Sequence, residues 1–211
     1  MTLELFILLA QGKQGKARWF VQLLHKLEKS MQLITYPSLD ALHQNAVQKI
    51  SLCIENAIQT HGRAYLAVPG GNTPKPIFEM LSNVTLDWQK VTVTLTDERC
   101  IHPSLSESNA YLVKTSLLKN KASLARFVSL YDPMLSSEEN LVAARNNIAT
   151  LPFFDCVFLG MGEDGHIASL FPGSSALETS LMEIDENWAL LNTRPPNAPY
   201  SRITLTIKTF Y

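Results

Sequence analysis

The sequence predicts an α/β fold, a Rossmann-like and mostly parallel sheet with helices on both faces. Three observations carry that expectation. From residue 31 onward short apolar runs alternate with stretches of helical apolar spacing. Three of the strand-like runs end in glycines or in consecutive ionisable residues, as strands do when their carboxyl ends face a ligand. No repeat, low-complexity tract or linker interrupts the pattern, and 211 residues with 46% hydrophobic content suffice for one well-buried core.

The elements follow in order. Residues 32–36 read as a strand, and 38–60 as a helix through Leu42, Ala46, Ile50, Cys53, Ile54 and Ala57. Residues 64–68 are a short apolar run that stops at Pro69-Gly70-Gly71, as a buried strand would. A helix over 74–82 has its prolines early, where a missing N–H costs little. Residues 91–96 alternate with period two, which points Val91, Val93 and Leu95 to one buried face. Ser108 can cap a helix over 109–118. A weaker strand over 126–130, a helix over 137–149 and a strand over 155–160 come next, and 188–192 and 202–207 are the last two strands.

Residues 1–30 differ from the rest. They hold five basic residues against two acidic ones, in a chain of net charge −1. They are read as an N-terminal extension, with 31–211 as the α/β domain. Residues 16–28 carry Phe20, Leu23, Leu24 and Leu27 at helical spacing, so the segment is a loose extension, a basic contact for a membrane or partner, or sequence upstream of a start at Met31. Its first apolar run contains Glu4, lacks a basic flank and falls short of the ~20 residues that span a bilayer. Neither an export signal nor a membrane span is expected, and no membrane partner is assigned. A pI near 6.5 gives no reason to expect a nucleic-acid partner. Cys53, Cys100 and Cys156 have neither metal nor disulfide-framework spacing and read as inert thiols of a reducing, cytoplasmic compartment.

Three bends could carry chemistry. In the first, Pro69-Gly70-Gly71-Asn72-Thr73-Pro74, two glycines between strand and helix allow close backbone approach, and the helix start favours an anion such as phosphate. The competing reading is a tight turn capped by Asn72 or Thr73. In the second, Asp97-Glu98-Arg99 fits a polar wall where Arg99 holds a phosphate or carboxylate, with Ser106, Ser108 and Asn109 as further hydrogen-bonding groups. The competing reading is a solvated loop. In the third, Gly160-Met-Gly162-Glu-Asp164-Gly-His166, a glycine-lined turn ends in an imidazole able to exchange protons near neutrality, with Asp164 placed to orient it. Here the competing reading is an Asp-Gly turn with a surface histidine. His25, His43, His61 and His102 are scattered and read as surface or structural groups, His102 alone lying near a bend. No metal-ligand spacing occurs.

Taken together, Pro69-Gly-Gly-Asn-Thr-Pro74, Asp97-Glu-Arg99, Glu107-Ser-Asn109, Gly160-Met-Gly-Glu-Asp-Gly-His-Ile-Ala-Ser-Leu-Phe-Pro172 and Ser201-Arg-Ile-Thr-Leu-Thr206 resemble the 6-phosphogluconolactonase family over residues 31–211. The related glucosamine-6-phosphate deaminases share the Asp-Gly-His core but continue differently from Ala168-Ser-Leu-Phe-Pro172. The resemblance implies hydrolysis of 6-phospho-D-glucono-1,5-lactone in the oxidative pentose phosphate pathway, with a sugar phosphate lactone as small-molecule partner and neither cofactor nor metal. On that basis His166 is the expected general base toward water, and Asp164 positions it. Gly70, Gly71, Asn72 and Thr73 hold the phosphate, with charge from Arg99 or Arg202. Asp97, Asn109 and Gly162 complete the binding set, and glycine N–H groups near 160–165 or a nearby cation meet the oxyanion. The alternatives are an amino-sugar-phosphate deaminase or isomerase, and a sugar-phosphate-binding module without catalysis. Against the family pattern the first thirty residues have no counterpart. A closing helix and strand with a Gly-x-x-Lys segment are also missing, so the fold is expected to be C-terminally truncated, with an exposed sheet edge. Oligomeric state is left open.

Overall fold

A computed structural model describes residues 4–8, 34–181, 189–195 and 198–210. In chain order its elements are β1 (Glu4–Leu8), α1 (Leu39–His61), β2 (Ala64–Val68), α2 (Lys75–Leu81), β3 (Val91–Leu95), β4 (Asp97–Arg99), α3 (Asn109–Ser116), β5 (Arg126–Val128), α4 (Ser137–Ala149), β6 (Cys156–Gly160), α5 (Ser175–Leu181), β7 (Leu190–Thr193) and β8 (Arg202–Leu205). They form two sheets. A five-stranded parallel sheet runs β1-β6-β2-β3-β5, and a three-stranded antiparallel sheet runs β4-β8-β7.

Local chemistry explains the helix ends. Ser38 caps α1 by accepting the Ala41 N–H at 3.2 Å, and Gly62 ends it in a left-handed conformation (φ 84°) that a β-carbon would disfavour. Ser136 and Glu139 form a reciprocal capping box at the start of α4. Helix α1 then buries Val47, Ile50, Cys53, Ile54 and Ala57 against the core that β2, β3 and β6 share.

Strand β3 departs from the half-buried reading of its alternation. All five residues are buried, because the strand lies inside a sheet covered on both faces. Its threonines are tolerated there where a partner exists: the Thr94 hydroxyl donates to the Val128 carbonyl at 2.9 Å.

Parallel pairing fixes where the bends go. Strands β6, β2 and β3 are consecutive neighbours pointing the same way, so the bends that follow them leave from one end of the sheet. The small sheet stands at that end. The Thr96 N–H donates to the Val68 carbonyl at 2.9 Å, and the Leu205 N–H to the Thr96 carbonyl at 2.8 Å.

Several boundaries differ from expectation. The strand read over 32–36 is not formed in 34–36, and residues 32–33 lie outside the described residues, as do the helical stretch 16–28 and Trp188. The run 202–207 is strand only to Leu205, after which the chain turns through Ile207–Phe210 and buries Ile207 and Phe210 in the core. Within the segment read as an extension, Glu4–Leu8 pairs in parallel with Cys156–Gly160 and forms the outer strand of the large sheet. Among the described residues no helix is long and apolar enough to cross a membrane.

Candidate active site

The bend after β6 folds onto itself. Met161 bridges to Ile167 and Ile167 to Leu170, while the Gly162 N–H donates to the His166 carbonyl at 2.8 Å. Gly165, at φ 89°, donates its N–H to the Gly162 carbonyl at 3.1 Å. This closure brings Asp164 back against His166. Asp164 Oδ1 accepts from the ring Nδ1 at 2.5 Å and from the His166 backbone N–H at 3.1 Å. Partial burial opposes the charge on Asp164, but the hydrogen bonds from His166 prevail and hold its carboxyl below the usual range. An ionised Asp164 requires a proton on Nδ1, which leaves the lone pair of neutral His166 on Nε2. The imidazole lies so close over Gly162 that a β-carbon there would collide with the ring. On the aromatic side it stacks on Phe171, with centroids 4.2 Å apart.

Next to this bend lies a buried polar cluster built by the small sheet. Asp97 Oδ2 accepts from the Ser169 hydroxyl at 2.5 Å, and Asp97 Oδ1 from Asn109 Nδ2 at 3.2 Å. Arg202 Nη1 donates to Ser169 Oγ at 3.3 Å and stands 3.8 Å from Asp97 Oδ2. The β4–β8 register places Arg99 directly opposite Arg202. Burial pushes Arg202 below its ordinary value, Asp97 opposes that shift, and Arg99 adds to it. Both guanidinium Nε atoms are buried without a hydrogen-bond partner, although Arg99 Nη1 donates to the Glu107 carbonyl.

Glu98, between these residues, has a different job. It is 2% exposed, and its Oε1 accepts the N–H groups of Arg99 (2.7 Å) and Asn109 (2.8 Å). Its Oε2 accepts the Ala110 N–H at 2.7 Å and the Ser108 hydroxyl at 3.0 Å. The carboxylate thus holds the start of α3 and, through it, Asn109. Glu98→Ala leaves three buried donors and one half-buried donor without their acceptor and is expected to cost about 2–4 kcal/mol in urea denaturation. Burial raises the Glu98 carboxyl above its ordinary 4.5 despite those donors. The folded protein therefore keeps this proton over a range where the unfolded chain has lost it, and the group's stabilisation, full below 4.5, is lost as pH rises through the folded value. Wild type is expected to gain stability relative to Glu98→Gln on acidification from neutrality toward pH 4.5.

The glycine bend after β2 joins the same cluster. A β-carbon on Gly70 would strike the Asn109 carboxamide, whose Nδ2 also donates to the Asp97 carbonyl at 2.7 Å and whose Oδ1 is buried without a partner. Gly71 takes φ 86°, and Asn72 and Thr73 are exposed. No side chain caps α2, so the capped-turn reading of Asn72 and Thr73 does not hold.

The residues singled out in the sequence therefore converge. A chain of contacts runs from Gly70 through Asn109, Asp97, Ser169 and Arg202 to Phe171, His166, Asp164 and Gly162. Gly71, Asn72 and Thr73 border it on the open side. The remaining histidines lie elsewhere where described: His102 binds Ser104 at 2.7 Å, and His61 pairs with Asp155 at 2.8 Å. Sequence reasoning missed Ser169 and Phe171 as site members. Both sit inside the most specific motif, but nothing in their spacing shows that a loop with Ala168 at φ 47° returns them to Asp97 and His166. Burial and the Glu98 charge push the Cys100 thiol up to about 11, so it stays protonated at neutral pH.

A family model described as glucosamine-6-phosphate isomerases/6-phosphogluconolactonase matches residues 37–210. The chain belongs to this family. Among curated members, a 6-phosphogluconolactonase of Pseudomonas aeruginosa is 41% identical over 153 residues, covering 72% of this chain and 64% of the relative. One of Rhizobium meliloti is 44% identical over 156 residues, covering 74% and 66%. The match thus spans just under two-thirds of these relatives. The crystal structure of a 6-phosphogluconolactonase from Shewanella baltica superposes with a TM-score of 0.80 at 36% identity, covering 86% of this chain and 77% of the other. One from Thermotoga maritima gives 0.67 at 28% identity, covering 79% and 74%. The family fold agrees with the α/β architecture expected from the sequence.

Proposed function

We propose that the chain hydrolyses 6-phospho-D-glucono-1,5-lactone to 6-phospho-D-gluconate, as the names of its family relatives suggest. The observation that carries this reading is the placement of Arg99 opposite Arg202, beside the Asp164–His166 pair. Like charges directly opposite across two strands repel, and two buried Nε–H donors lack acceptors. A phosphate dianion seated there turns the repulsion into two charge-assisted attractions. The open bend at Gly70, Gly71, Asn72 and Thr73 offers further donors to the same group.

The chemistry then needs little more than an oriented base. His166 Nε2 removes a proton from water as its oxygen attacks C1 of the lactone. The C1–O bond forms, and the carbonyl electrons move onto oxygen. The tetrahedral intermediate collapses by breaking the bond from C1 to the ring oxygen, which takes the proton from the imidazolium. Asp164, ionised and 2.5 Å from Nδ1, stabilises that imidazolium. The N–H groups of Gly162 and Gly165 are spent within the bend, so those two glycines do not supply the donors that meet the oxyanion.

A cytoplasmic place in the oxidative pentose phosphate pathway belongs to the same proposal. The test is a coupled assay on freshly made lactone. Product formation well above a no-enzyme control is expected. Release of ammonia from glucosamine 6-phosphate without lactone turnover would instead mark the deaminase branch of the family, and binding of 6-phosphogluconate without turnover a non-catalytic module.

A further inference from the structure

We infer that Phe171 is a positioning residue: its ring sets the plane of the His166 imidazole and links the base to Arg202. The inference rests on the lactonase reading for its kinetic consequence, but its structural part stands alone. The Phe171 ring is 8% exposed and stacks on His166 with centroids 4.2 Å apart and 28° between planes. The Arg202 guanidinium carbon lies 5.6 Å from the same ring. One phenyl group therefore touches both the proposed base and a proposed phosphate-binding cation.

The constraint on His166 is otherwise incomplete. Asp164 fixes one ring atom, Nδ1, and the Cβ–Cγ bond tethers another, but one hydrogen bond does little to hold the ring plane against tilting. Gly162 packs close against the ring, but with backbone alone. The stack against Phe171 supplies the face-on side-chain contact that sets the ring plane and so aims Nε2. Arg202, in contrast, is held independently by Ser169 and Asp97 and keeps its place without the phenyl ring. The loop is shaped for this contact. The Leu170 N–H donates to the Ile167 carbonyl at 2.9 Å, Ala168 takes φ 47°, and the Ser169 N–H donates to Thr204 Oγ1 at 3.1 Å, which returns residue 171 to residue 166.

Loss of the ring should thus degrade catalysis while sparing substrate binding. Phe171→Leu is expected to lower kcat by about ten-fold or more, since misplacing a reacting group by about 1 Å costs up to ~10²-fold. KM should stay within about two-fold because Arg202 keeps its anchors. Phe171→Tyr retains the ring and should restore kcat to within about three-fold of wild type. An NMR readout makes the stacking visible without activity: the His166 Cε1 proton, assigned with His166→Gln, should be displaced upfield by the phenyl ring current in wild type and Phe171→Tyr, and return downfield in Phe171→Leu. Wild-type kcat in a folded Phe171→Leu, a rise in KM alone, or an absent ring-current shift overturns the inference. If Phe171→Leu fails to fold, failure of Phe171→Tyr to keep both the shift and kcat does so instead. Should the ring-current pattern hold while no form turns over lactone, the lactonase reading fails and the stacking survives.

Discussion

His166→Ala is expected to lower kcat for the lactone by about 10²–10⁴-fold, the usual contribution of a positioned general base. The magnitude follows from what the substitution leaves standing. Asp97, Ser169, Arg202 and the Gly70 bend do not hydrogen-bond to His166, so substrate is still held and KM moves little. What disappears is the only imidazole in this contact chain. Residual activity should equal what electrostatic stabilisation and binding alone provide. Asp164→Asn should cost less, because the ring remains, but the tautomer and the charge that stabilises imidazolium are no longer enforced. Initial rates must be read above spontaneous hydrolysis of the lactone, with circular dichroism showing an intact fold. A kcat equal to wild type in His166→Ala would remove the base from the mechanism and leave the arginines as a binding site only.

The His166 bend was legible in sequence because its chemistry is local. Glycines at 160, 162 and 165, an acid at 164 and an imidazole at 166 sit within seven residues, and the contact between Asp164 and His166 spans only two positions. The helices read over 38–60 and 137–149 were legible for a similar reason: apolar spacing along 38–60 is a local signal, and the caps at Ser38, Gly62, Ser136 and Glu139 that end the observed helices are local too. Contacts formed by distant strands left no such mark. Ser169 reaches Asp97 across 72 positions, and Arg202 faces Arg99 only because β8 pairs antiparallel with β4. The triplet at 97–99 reads as a polar wall on a bend after the strand, with a solvated loop as the competing reading. In the structure it is a strand whose middle member is buried to cap α3. The N-terminal run at 4–8 groups by composition with the basic residues that follow it, which gives no hint of a parallel partner some 150 residues away.

The opposed arginines supply the second large effect. Arg99→Met is expected to raise KM for the lactone by about 10–100-fold, matching the ~1.5–3 kcal/mol of a charge-assisted hydrogen bond. Stability should change little, because Arg99 is half-buried and its described hydrogen bond goes to a single carbonyl, that of Glu107. Removing it also relieves Arg202 of a like charge that lowers its pKa. Arg202→Met should raise KM similarly but destabilise the fold as well, since the buried Asp97 loses the cation 3.8 Å away. The two variants therefore separate ligand binding from folding. Thermal denaturation with and without 6-phosphogluconate reads both: wild type should be stabilised by the ligand in proportion to its occupancy, and each arginine variant should lose most of that gain. An Arg99→Met protein that keeps both the wild-type KM and the full ligand-induced rise in Tm would show that the anion is gripped elsewhere. The exposed bend at Gly71, Asn72 and Thr73 would then have to carry the phosphate without the facing pair of cations.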